Sequence, residues 1–411
     1  MDQKVVIVGA GVAGLIAARH LEEVGIKPIV VEAADRVGGR VKTTEKDGFL
    51  LDHGFQVLLS AYEEAQRYLD YKQLNLKAFN TGAIIKDGEN TYQVADPLRD
   101  PSKLLPMAFS PVGNLKDKYL TWYLTQDLKR LSQEEVFSKT SNTTEAYLKE
   151  YGFSKKIIER FFRPFFGGIF LENDLRTGSG MFRFVFKKFS EGKATIPADG
   201  IEAIPKHLQS QLKQTQFHFN SFVEQVQGNQ LTLKGGEKLD FDRLIITTDP
   251  SKIMPNLAGQ DLDHVSTTTL YYTSTTSILN EKSIALVSDA QSLINNFCVL
   301  TDVAPSYSKD GRSLISVTLK DKAQQEDNIE EKVLEELKRL SPDEKDINFL
   351  HRMDIPYALP VIEDMKFNLQ FTEFTLTNEI YLAGDYLLNA SLDAAMRSGR
   401  NAATAVWQSL G

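Results

Sequence analysis

Residues 4–40 read KVVIVGAGVAGLIAARHLEEVGIKPIVVEAADRVGGR, and this stretch decides the fold. It begins with a short β-branched run, KVVIV, which is typical of a buried strand in a parallel sheet. Residues 12–24 then carry apolar side chains at helical spacing until Gly25 ends the helix. Residues 28–32 predict a second buried strand. The stretch therefore predicts a strand–helix–strand unit of about thirty residues.

The turn between the first strand and the helix reads GAGVAG at 9–14, which fits G-x-G-x-x-G. Gly9 permits a tight turn, Gly11 lets the backbone approach a pyrophosphate, and Gly14 allows close packing of helix on strand. The free N–H groups and the dipole of the helix point at that anion. Glu32 ends the second strand, where a carboxylate accepts a hydrogen bond from a ribose 2′-OH. The unit predicts a dinucleotide site, but it does not separate FAD from NAD.

The residues after the second strand, EAADRVGGR at 32–40, favour FAD. Gly38 and Gly39 let the chain pass close to a bound group, and Arg40 supplies a planar, permanently charged fork suited to phosphate. An NAD enzyme has no evident need for this second phosphate contact. For Arg36 we expect a surface ion pair instead.

At this point the chain resembles the large family of flavin amine oxidases, protoporphyrinogen oxidases and phytoene-desaturase-like enzymes. Their N-terminal signature is G-x-G-x-x-G followed by E-A-x-x-R-x-G-G-R, which residues 9–40 match, and GF at 48–49 and DHG at 52–54 continue the pattern. The far end also matches, with IYLAGD at 380–385 and SG at 398–399 inside a last helix. In the middle, residues 220–226 look like the family strand whose valine binds adenine through its backbone.

The resemblance implies that FAD, bound non-covalently, is the cofactor. Gly54 to Val57 would run beside the isoalloxazine ring, Gly384 and Asp385 would contact the pyrophosphate and ribityl chain, and the N-terminus of the last helix would face the flavin. Val223 has a purely structural alternative as a core residue. The residues and the resemblance together predict these FAD-binding residues: Gly9, Gly11, Val12, Ala13, Gly14, Glu32, Ala33, Gly39, Arg40, Gly54, Phe55, Gln56, Val57, Val223, Gly384, Asp385, Ala394, Ala395 and Met396.

The resemblance also implies the fold class, an α/β, two-domain flavoprotein with a Rossmann-like, GR2-type FAD domain. We expect that domain to be discontinuous and to comprise residues 1–75, 196–258 and 360–411. A mixed sheet-plus-helix substrate domain would comprise residues 76–195 and 259–359.

The substrate is less clearly indicated. Amine oxidases of the family usually carry a strand lysine near flavin N5, and the corresponding residues, 266–275, contain none. Residues 358–360 read ALP, which looks more like protoporphyrinogen oxidases and isoprenoid desaturases than like amine oxidases. The phenylalanine-rich block 160–170 is either a wall or tunnel for an apolar substrate or helix packing that ends in a turn at Gly167-Gly168. Within the helical region 115–192, Lys187-Lys188 predict a solvated face.

We therefore expect an FAD-dependent oxidoreductase that oxidises or desaturates a small, apolar organic substrate by hydride transfer to flavin N5. Reoxidation would be by O₂ or a quinone-like acceptor. The alternatives are a flavin amine oxidase, an FAD-binding protein with a non-redox isomerase or scaffold role, and an NAD dehydrogenase, against which the Arg40 segment argues. His53 is the candidate proton carrier, although such a histidine more often makes structural hydrogen bonds.

Composition excludes other classes. The net charge of −8 over 411 residues disfavours a nucleic-acid partner. The single cysteine, Cys298, excludes an intramolecular disulfide and suits a reducing compartment. None of the six histidines has metal-ligand spacing with another, so no metal is expected. No apolar run reaches the roughly 20 residues of a membrane span. We expect a cytoplasmic protein, with peripheral membrane contact and oligomeric state left open.

Overall fold

The computed structural model describes residues 3–88, 90–94, 111–138, 142–343 and 346–410. The strands of this part of the chain are, in order, β1 (Val5–Val8), β2 (Ile29–Val31), β3 (Thr43–Lys46), β4 (Phe49–Asp52), β5 (Leu58–Leu59), β6 (Lys77–Ala78), β7 (Ala83–Asp87), β8 (Asn90–Val94), β9 (Ala194–Ile196), β10 (Gln216–His218), β11 (Val223–Gln227), β12 (Gln230–Leu233), β13 (Lys238–Asp240), β14 (Arg243–Ile246), β15 (His264–Ser274), β16 (Ile284–Val287), β17 (Ile294–Val299), β18 (Ser313–Leu319), β19 (Ile347–Pro360) and β20 (Ile380–Leu382).

The α-helices of the described ranges are α1 (Val12–Glu23), α2 (Glu63–Tyr68), α3 (Leu115–Arg130), α4 (Gln133–Ser138), α5 (Thr144–Tyr151), α6 (Lys155–Ile157), α7 (Arg163–Phe170), α8 (Ser179–Glu191), α9 (Ala203–Gln211), α10 (Leu300–Val303), α11 (Ile329–Leu340) and α12 (Leu392–Leu410). A π-helical turn, Ile158–Phe162, joins α6 to α7. Short 3₁₀ turns lie at Pro250–Lys252, Pro255–Leu257, Pro305–Tyr307, Asp321–Gln325, Phe371–Glu373 and Asp385–Leu387. None of the helices in these ranges has both the length and the apolar character that crossing a membrane requires.

The first sheet is parallel, with strand order β10-β2-β1-β14-β20. Its central strand β1 is completely buried, as the β-branched run predicts. Val8 of β1 pairs with Ile246, and Ile246 pairs with Leu382, so the strands that begin and end the sequence lie two positions apart. The predicted strand–helix–strand unit is therefore confirmed, and the motif at 380–385 begins with a buried strand of the same sheet.

Helices α1 and α12 pack closely against each other beside this sheet. A Cβ atom on Gly399 would lie 2.2 Å from the carbonyl oxygen of Ala13, and one on Gly14 would lie 2.1 Å from that of Gly9. Only glycine permits these approaches, because real Cβ atoms do not come so close to backbone oxygen. Gly399 thus allows the close approach of α12 to α1, whereas Gly14 lets α1 pack on the glycine loop before it.

The second sheet has seven strands in the order β19-β15-β18-β17-β16-β7-β8, and all neighbours are antiparallel except β16 and β7. One face is apolar and is covered by α11, through Ile329, Val333 and Leu337. The other face lines a cavity described below. The strands of the five-stranded sheet lie within residues 5–31, 216–246 and 380–382. Those of the seven-stranded sheet lie within residues 83–94 and 264–360. The domain boundaries themselves stay a prediction.

The predicted helical region 115–192 is confirmed by α3 to α8, but two details were wrong. Gly167-Gly168 form no turn and lie inside α7. Lys187 and Lys188 are 4% and 2% exposed, so they are no solvated face. The Lys187 ammonium donates to the carbonyl oxygens of Leu128 (2.7 Å) and Leu131 (2.9 Å), which end α3. A cation there satisfies carbonyl groups that have no partner within the helix.

Candidate active site

One cavity of about 2340 Å³ lies between the two sheets and the helical region. Ordinary ligand pockets measure roughly 300–1,000 Å³, so this cavity has room for a large cofactor together with a second molecule. The predicted FAD-binding residues that line it are Gly9, Gly11, Val12, Ala13, Glu32, Ala33, Gly39, Arg40, Gly54, Phe55, Gln56, Val57, Val223, Gly384, Asp385 and Ala395, and His53 lines it as well. The structure thus brings together residues from both ends of the chain and from its middle.

The glycine loop leaves the N-terminus of α1 open. Gly11 precedes the helix with φ −71°, no side chain caps it, and the first turn carries no acidic residue. A Cβ atom on Gly11 would meet only the Cα of Gly39, at 3.9 Å. Because Gly11, Val12 and Ala13 line the cavity and the first turn of α1 carries no acidic residue, the backbone N–H groups of that turn can hold a phosphate group. Gly9 serves packing instead, since a Cβ there would lie 2.5 Å from the Thr247 hydroxyl.

Glu32 fastens the end of β2 to this loop. Its carboxylate accepts hydrogen bonds from the backbone N–H groups of Ala10 (2.7 Å) and Ala34 (2.8 Å). The side chain is thereby fixed at the cavity lining, close to the loop that would hold the pyrophosphate. The ribose contact of this carboxylate stays a prediction.

Arg40 joins the two ends of the chain. Its guanidinium forms an ion pair with Asp385, a carboxylate whose side chain is 7% exposed, and also donates to the carbonyl oxygen of Ala358 at 3.3 Å. Next to Asp385, the N–H of Gly384 donates to the Ser398 hydroxyl of α12 at 2.9 Å. The pair places one positive and one negative group at the cavity lining.

Arg36, four residues earlier, takes the role expected from the sequence. It pairs with the buried carboxylate of Glu202 at 2.6 Å and with Asp35 at 3.4 Å, and it does not line the cavity. The hydrogen bond with Glu202 raises the pKa of Arg36 above its ordinary value.

Residues 52–57 form a rigid edge of the cavity. The buried carboxylate of Asp52 accepts hydrogen bonds from Thr43 (2.6 Å), the Ile201 N–H (2.9 Å) and Tyr307 (2.7 Å). Burial raises the pKa of Asp52 to about 6, and these hydrogen bonds offset only part of the rise. Gly54 then passes so close to β19 that a Cβ would lie 3.1 Å from Ile355.

His53 lies at this edge with its Nε2 2.9 Å from the Thr44 hydroxyl. Burial lowers its pKa below the ordinary value, and the nearby Lys42 and Arg36 lower it further. The imidazole is therefore neutral at pH 7 and able to accept a proton.

Three predicted contacts lie off the cavity lining. Gly14 packs against the Gly9 backbone, Met396 is fully buried in the core, and the Ala394 N–H donates to the Ser391 hydroxyl at 3.0 Å. Of the helix residues named from the resemblance, Ala395 lines the cavity. The roles of all the predicted FAD-binding residues stay predictions.

The start of α12 is anchored by a buried charge network. Arg397 contacts Asp393 at 3.2 Å and Glu64 at 3.2 Å, and Glu64 also accepts from Arg400 at 2.7 Å. Both carboxylates and Arg397 are less than a tenth exposed. Paired burial of this kind fixes the position of the helix N-terminus relative to α2, because breaking it would leave a buried charge.

Aromatic side chains of α7, α8 and the π-helical turn line another part of the cavity. We call this set the aromatic wall, and its members are Phe161, Phe165, Phe166, Phe170, Phe186 and Phe189. They also pack on one another, for example Phe165 on Phe189 with ring centroids 5.2 Å apart. The rings thus pack in helices, without the turn at Gly167-Gly168 that one interpretation expected, and they present an apolar surface to the cavity. That this surface is a wall for a substrate stays a prediction.

The cavity also receives polar side chains that the sequence analysis missed, Thr267 and Thr269 of β15, Thr318 of β18 and Asn296 of β17. The threonines of 266–275 were a signal, but the sequence does not show which face of the strand meets a cavity. In the part of the chain that the structure describes, no three His, Cys, Asp or Glu side chains group so as to hold a metal ion. Cys298 is buried and does not line the cavity, and burial raises its pKa.

A family model described as flavin-containing amine oxidoreductase matches residues 12–407. A possible lysine-specific histone demethylase of Drosophila melanogaster is 40% identical over 73 residues, 18% of this chain and 8% of that protein. A protoporphyrinogen oxidase of Arabidopsis thaliana is 27% identical over 169 residues, 40% of this chain and 32% of that protein. The chain thus spans less than half the length of the curated relatives it matches.

Among solved structures, an oxidoreductase from Methanosarcina mazei superposes with a TM-score of 0.75 at 16% identity. The superposition covers 97% of this chain and 99% of that one. This likeness concerns the fold, and it confirms the α/β fold class expected from the sequence.

Proposed function

The chain belongs to the flavin-containing amine oxidoreductase family, and from that premise we propose that it is an FAD-dependent oxidoreductase acting on a small, apolar organic substrate. The observation that carries the proposal is the shared cavity, which is lined by the glycine loop at one place and by the aromatic wall at another. A cofactor and an apolar molecule could meet inside it.

The residues present fit FAD. The open N-terminus of α1 after Gly11 would hold the pyrophosphate, Glu32 the ribose, and the backbone around Val223 the adenine. Gly384 and Asp385 would contact the ribityl chain, and Gly54 to Val57 would run along the flavin ring. With an ion pair rather than a lone cation at Arg40, the site would bind the cofactor without a large excess of positive charge.

When bound, FAD supplies a two-electron acceptor that takes up a hydride at flavin N5. The chain's own contribution would be to orient an apolar molecule on the aromatic wall and to exclude water from it. His53, neutral at pH 7, is our candidate for accepting a proton from the substrate at Nδ1, because Nε2 is engaged by Thr44.

The substrate class rests on what the cavity lining offers. β15 contributes Thr267 and Thr269 where amine oxidases of the family usually carry a lysine. We therefore propose oxidation or desaturation of an apolar molecule, with O₂ or a quinone-like compound as the electron acceptor. Oxidation of an amine is the second candidate, because the family description names amine oxidoreductases.

The test is an anaerobic screen of the purified yellow protein. Amines, porphyrinogens and polyenes are mixed in turn with it, and the flavin absorbance near about 450 nm is followed. Bleaching by an apolar, non-amine class supports the proposal and names the substrate; bleaching by amines alone favours the second candidate. Protein that shows no flavin absorbance, even after refolding with FAD, contradicts both.

A further inference from the structure

Three buried threonines of the seven-stranded sheet line the cavity. Thr267 and Thr269 of β15 and Thr318 of β18 are 6%, 0% and 5% exposed, and all three line the cavity. Among the described residues, no group forms a hydrogen bond with any of their Oγ1 atoms. We call these three residues the threonine cluster.

The cluster is continuous across neighbouring strands. Thr269 lies opposite Thr318 in the antiparallel pairing of β15 and β18, and Thr318 lies opposite Asn296 of β17. Side chains paired in this way lie about 4.5–5.5 Å apart at Cβ on the same face of the sheet. Asn296 also lines the cavity, with its amide nitrogen donating to Asn295 at 2.8 Å. The result is an uncharged polar band in a cavity that also holds the aromatic wall.

The hydroxyl on the other face of β15 behaves differently. Thr268 points away from the cavity and donates to the Asp354 carboxylate at 2.7 Å. A threonine in this strand can therefore find a protein partner when its surroundings supply one. Burying a hydroxyl without a hydrogen bond is costly, and native proteins rarely do so without a reason. The unpartnered state of the cluster thus points to a bound molecule that completes its hydrogen bonds.

The chemistry of the cluster selects the molecule. A hydroxyl both donates and accepts, so it matches an alcohol or a carbonyl oxygen. A buried ammonium group requires an opposite charge beside it, and the threonine cluster itself has none. The carboxylates that also line the cavity, Glu172 and Asp321 among them, are not members of the cluster. Building on the proposed function, we propose that the threonine cluster binds a neutral oxygen group of an otherwise apolar substrate. The substrate class is then an oxygen-bearing hydrocarbon, an alcohol or a ketone, rather than an amine or a plain hydrocarbon.

The test compares four probes that share one ring system and differ in one group. They are 2-acetylnaphthalene (ketone), 1-(2-naphthyl)ethanol (alcohol), 1-(2-naphthyl)ethylamine (cation) and 2-ethylnaphthalene (hydrocarbon). Each is titrated calorimetrically into the FAD-loaded protein without oxygen. We expect the ketone and the alcohol to bind about tenfold more tightly than the amine and the hydrocarbon.

Two variants link that preference to the cluster. Thr269→Val and Thr318→Val keep the shape of the side chain and remove the hydroxyl. Each should weaken ketone and alcohol binding about tenfold and leave 2-ethylnaphthalene unchanged. Each should also leave the melting temperature of the protein without probe equal or higher, because an unpartnered buried hydroxyl has been removed. If the hydroxyls had only a structural role, these substitutions would lower the melting temperature.

Thr268→Val is the matched control. It should lower the melting temperature, because it removes the hydrogen bond to Asp354, and it should not change the affinity for any probe. Unchanged ketone and alcohol affinities in both cluster variants would overturn the inference, as would tightest binding of the amine. Neither result touches the assignment of FAD, which is read separately from the flavin absorbance of the same samples.

Discussion

The proposed cofactor side of the cavity has two glycine-containing turns, the loop at 9–14 and the turn at Gly384, and the Arg40–Asp385 ion pair. The proposed substrate side has the aromatic wall and the threonine cluster. Backbone contacts need glycine at fixed places, and substituting the residues around them leaves those contacts intact. Side-chain contacts change with every substitution. The difference shows how one fold can keep its cofactor while its substrate is free to vary.

The largest expected effect is on FAD affinity, and it should distinguish Gly11 from Gly14. In Gly11→Ala the new Cβ meets only the Gly39 Cα at 3.9 Å, so the protein should fold normally but lose roughly 100-fold in FAD affinity. In Gly14→Ala the Cβ would lie 2.1 Å from a backbone oxygen, so the fold itself should lose stability. FAD titration and thermal unfolding of both variants measure this; full FAD affinity in Gly11→Ala would contradict the placement of the pyrophosphate.

The next effect concerns the two arginines near the loop. Arg40→Gln should weaken FAD binding, on the order of 10- to 100-fold, because Arg40 lies at the cavity lining. Arg36→Gln is the matched control and should leave FAD affinity unchanged. Both variants should lower the melting temperature, since each leaves a buried carboxylate, Asp385 or Glu202, without its guanidinium. Equal losses of FAD affinity in the two variants would contradict the proposal that Arg40 contacts the cofactor and Arg36 does not.

Asp52, at the edge between the two sides, should give a pH signature. Its pKa is about 6 in the folded protein and about 4 when unfolded, so its contribution to stability is complete below about pH 4 and is lost as pH rises through 6. Relative to Asp52→Asn, the wild type should lose on the order of 2 kcal/mol of unfolding free energy between pH 4 and pH 7. Urea unfolding at several pH values checks this, and parallel pH curves for the two proteins would exclude it.

The smallest effect tests the aromatic wall. Phe165→Leu should weaken binding of 2-ethylnaphthalene about threefold to tenfold, because Phe165 lines the cavity, and should leave FAD content unchanged. Phe162→Leu, in the adjoining π-helical turn, should lower stability without changing that affinity, because Phe162 is fully buried and does not line the cavity. A change in FAD content caused by Phe165→Leu would mean that the aromatic wall also takes part in binding the cofactor.

The part of the cavity lining formed by residues 9–40 could be predicted from the sequence because its requirements are local; its role in binding FAD stays a prediction. The glycines of the loop at 9–14 and the Glu32 carboxylate at the end of β2 stand at fixed spacings, and all of them lie within one short stretch of the sequence. The fold class followed from the same stretch together with the resemblance at the far end, and the comparisons confirmed it.

The substrate side could not be predicted in the same way because its residues meet only after folding. Whether Thr269 faces a cavity depends on the register between β15 and β18. Lys187 looked solvent-exposed because the sequence does not show that α3 ends beside it, with carbonyl groups that a buried ammonium can satisfy. Gly167-Gly168 suggested a turn by their type, although packing of α7 against β17 keeps them helical: a Cβ atom on Gly168 would lie 2.6 Å from the Asn296 amide.

The parallel sheet has a consequence for the order in which the protein can assemble as it is synthesised. Strand β20 completes that sheet, and Asp385 follows it by only a few residues, so the glycine loop at 9–14 has to wait until residues 380–385 have left the ribosome. The seven-stranded sheet, whose last strand ends at Pro360, has all of its strands available earlier. A chain that ends before residue 380, or one halted there and followed by a linker long enough to fill the exit tunnel, should therefore hold that sheet while binding no flavin.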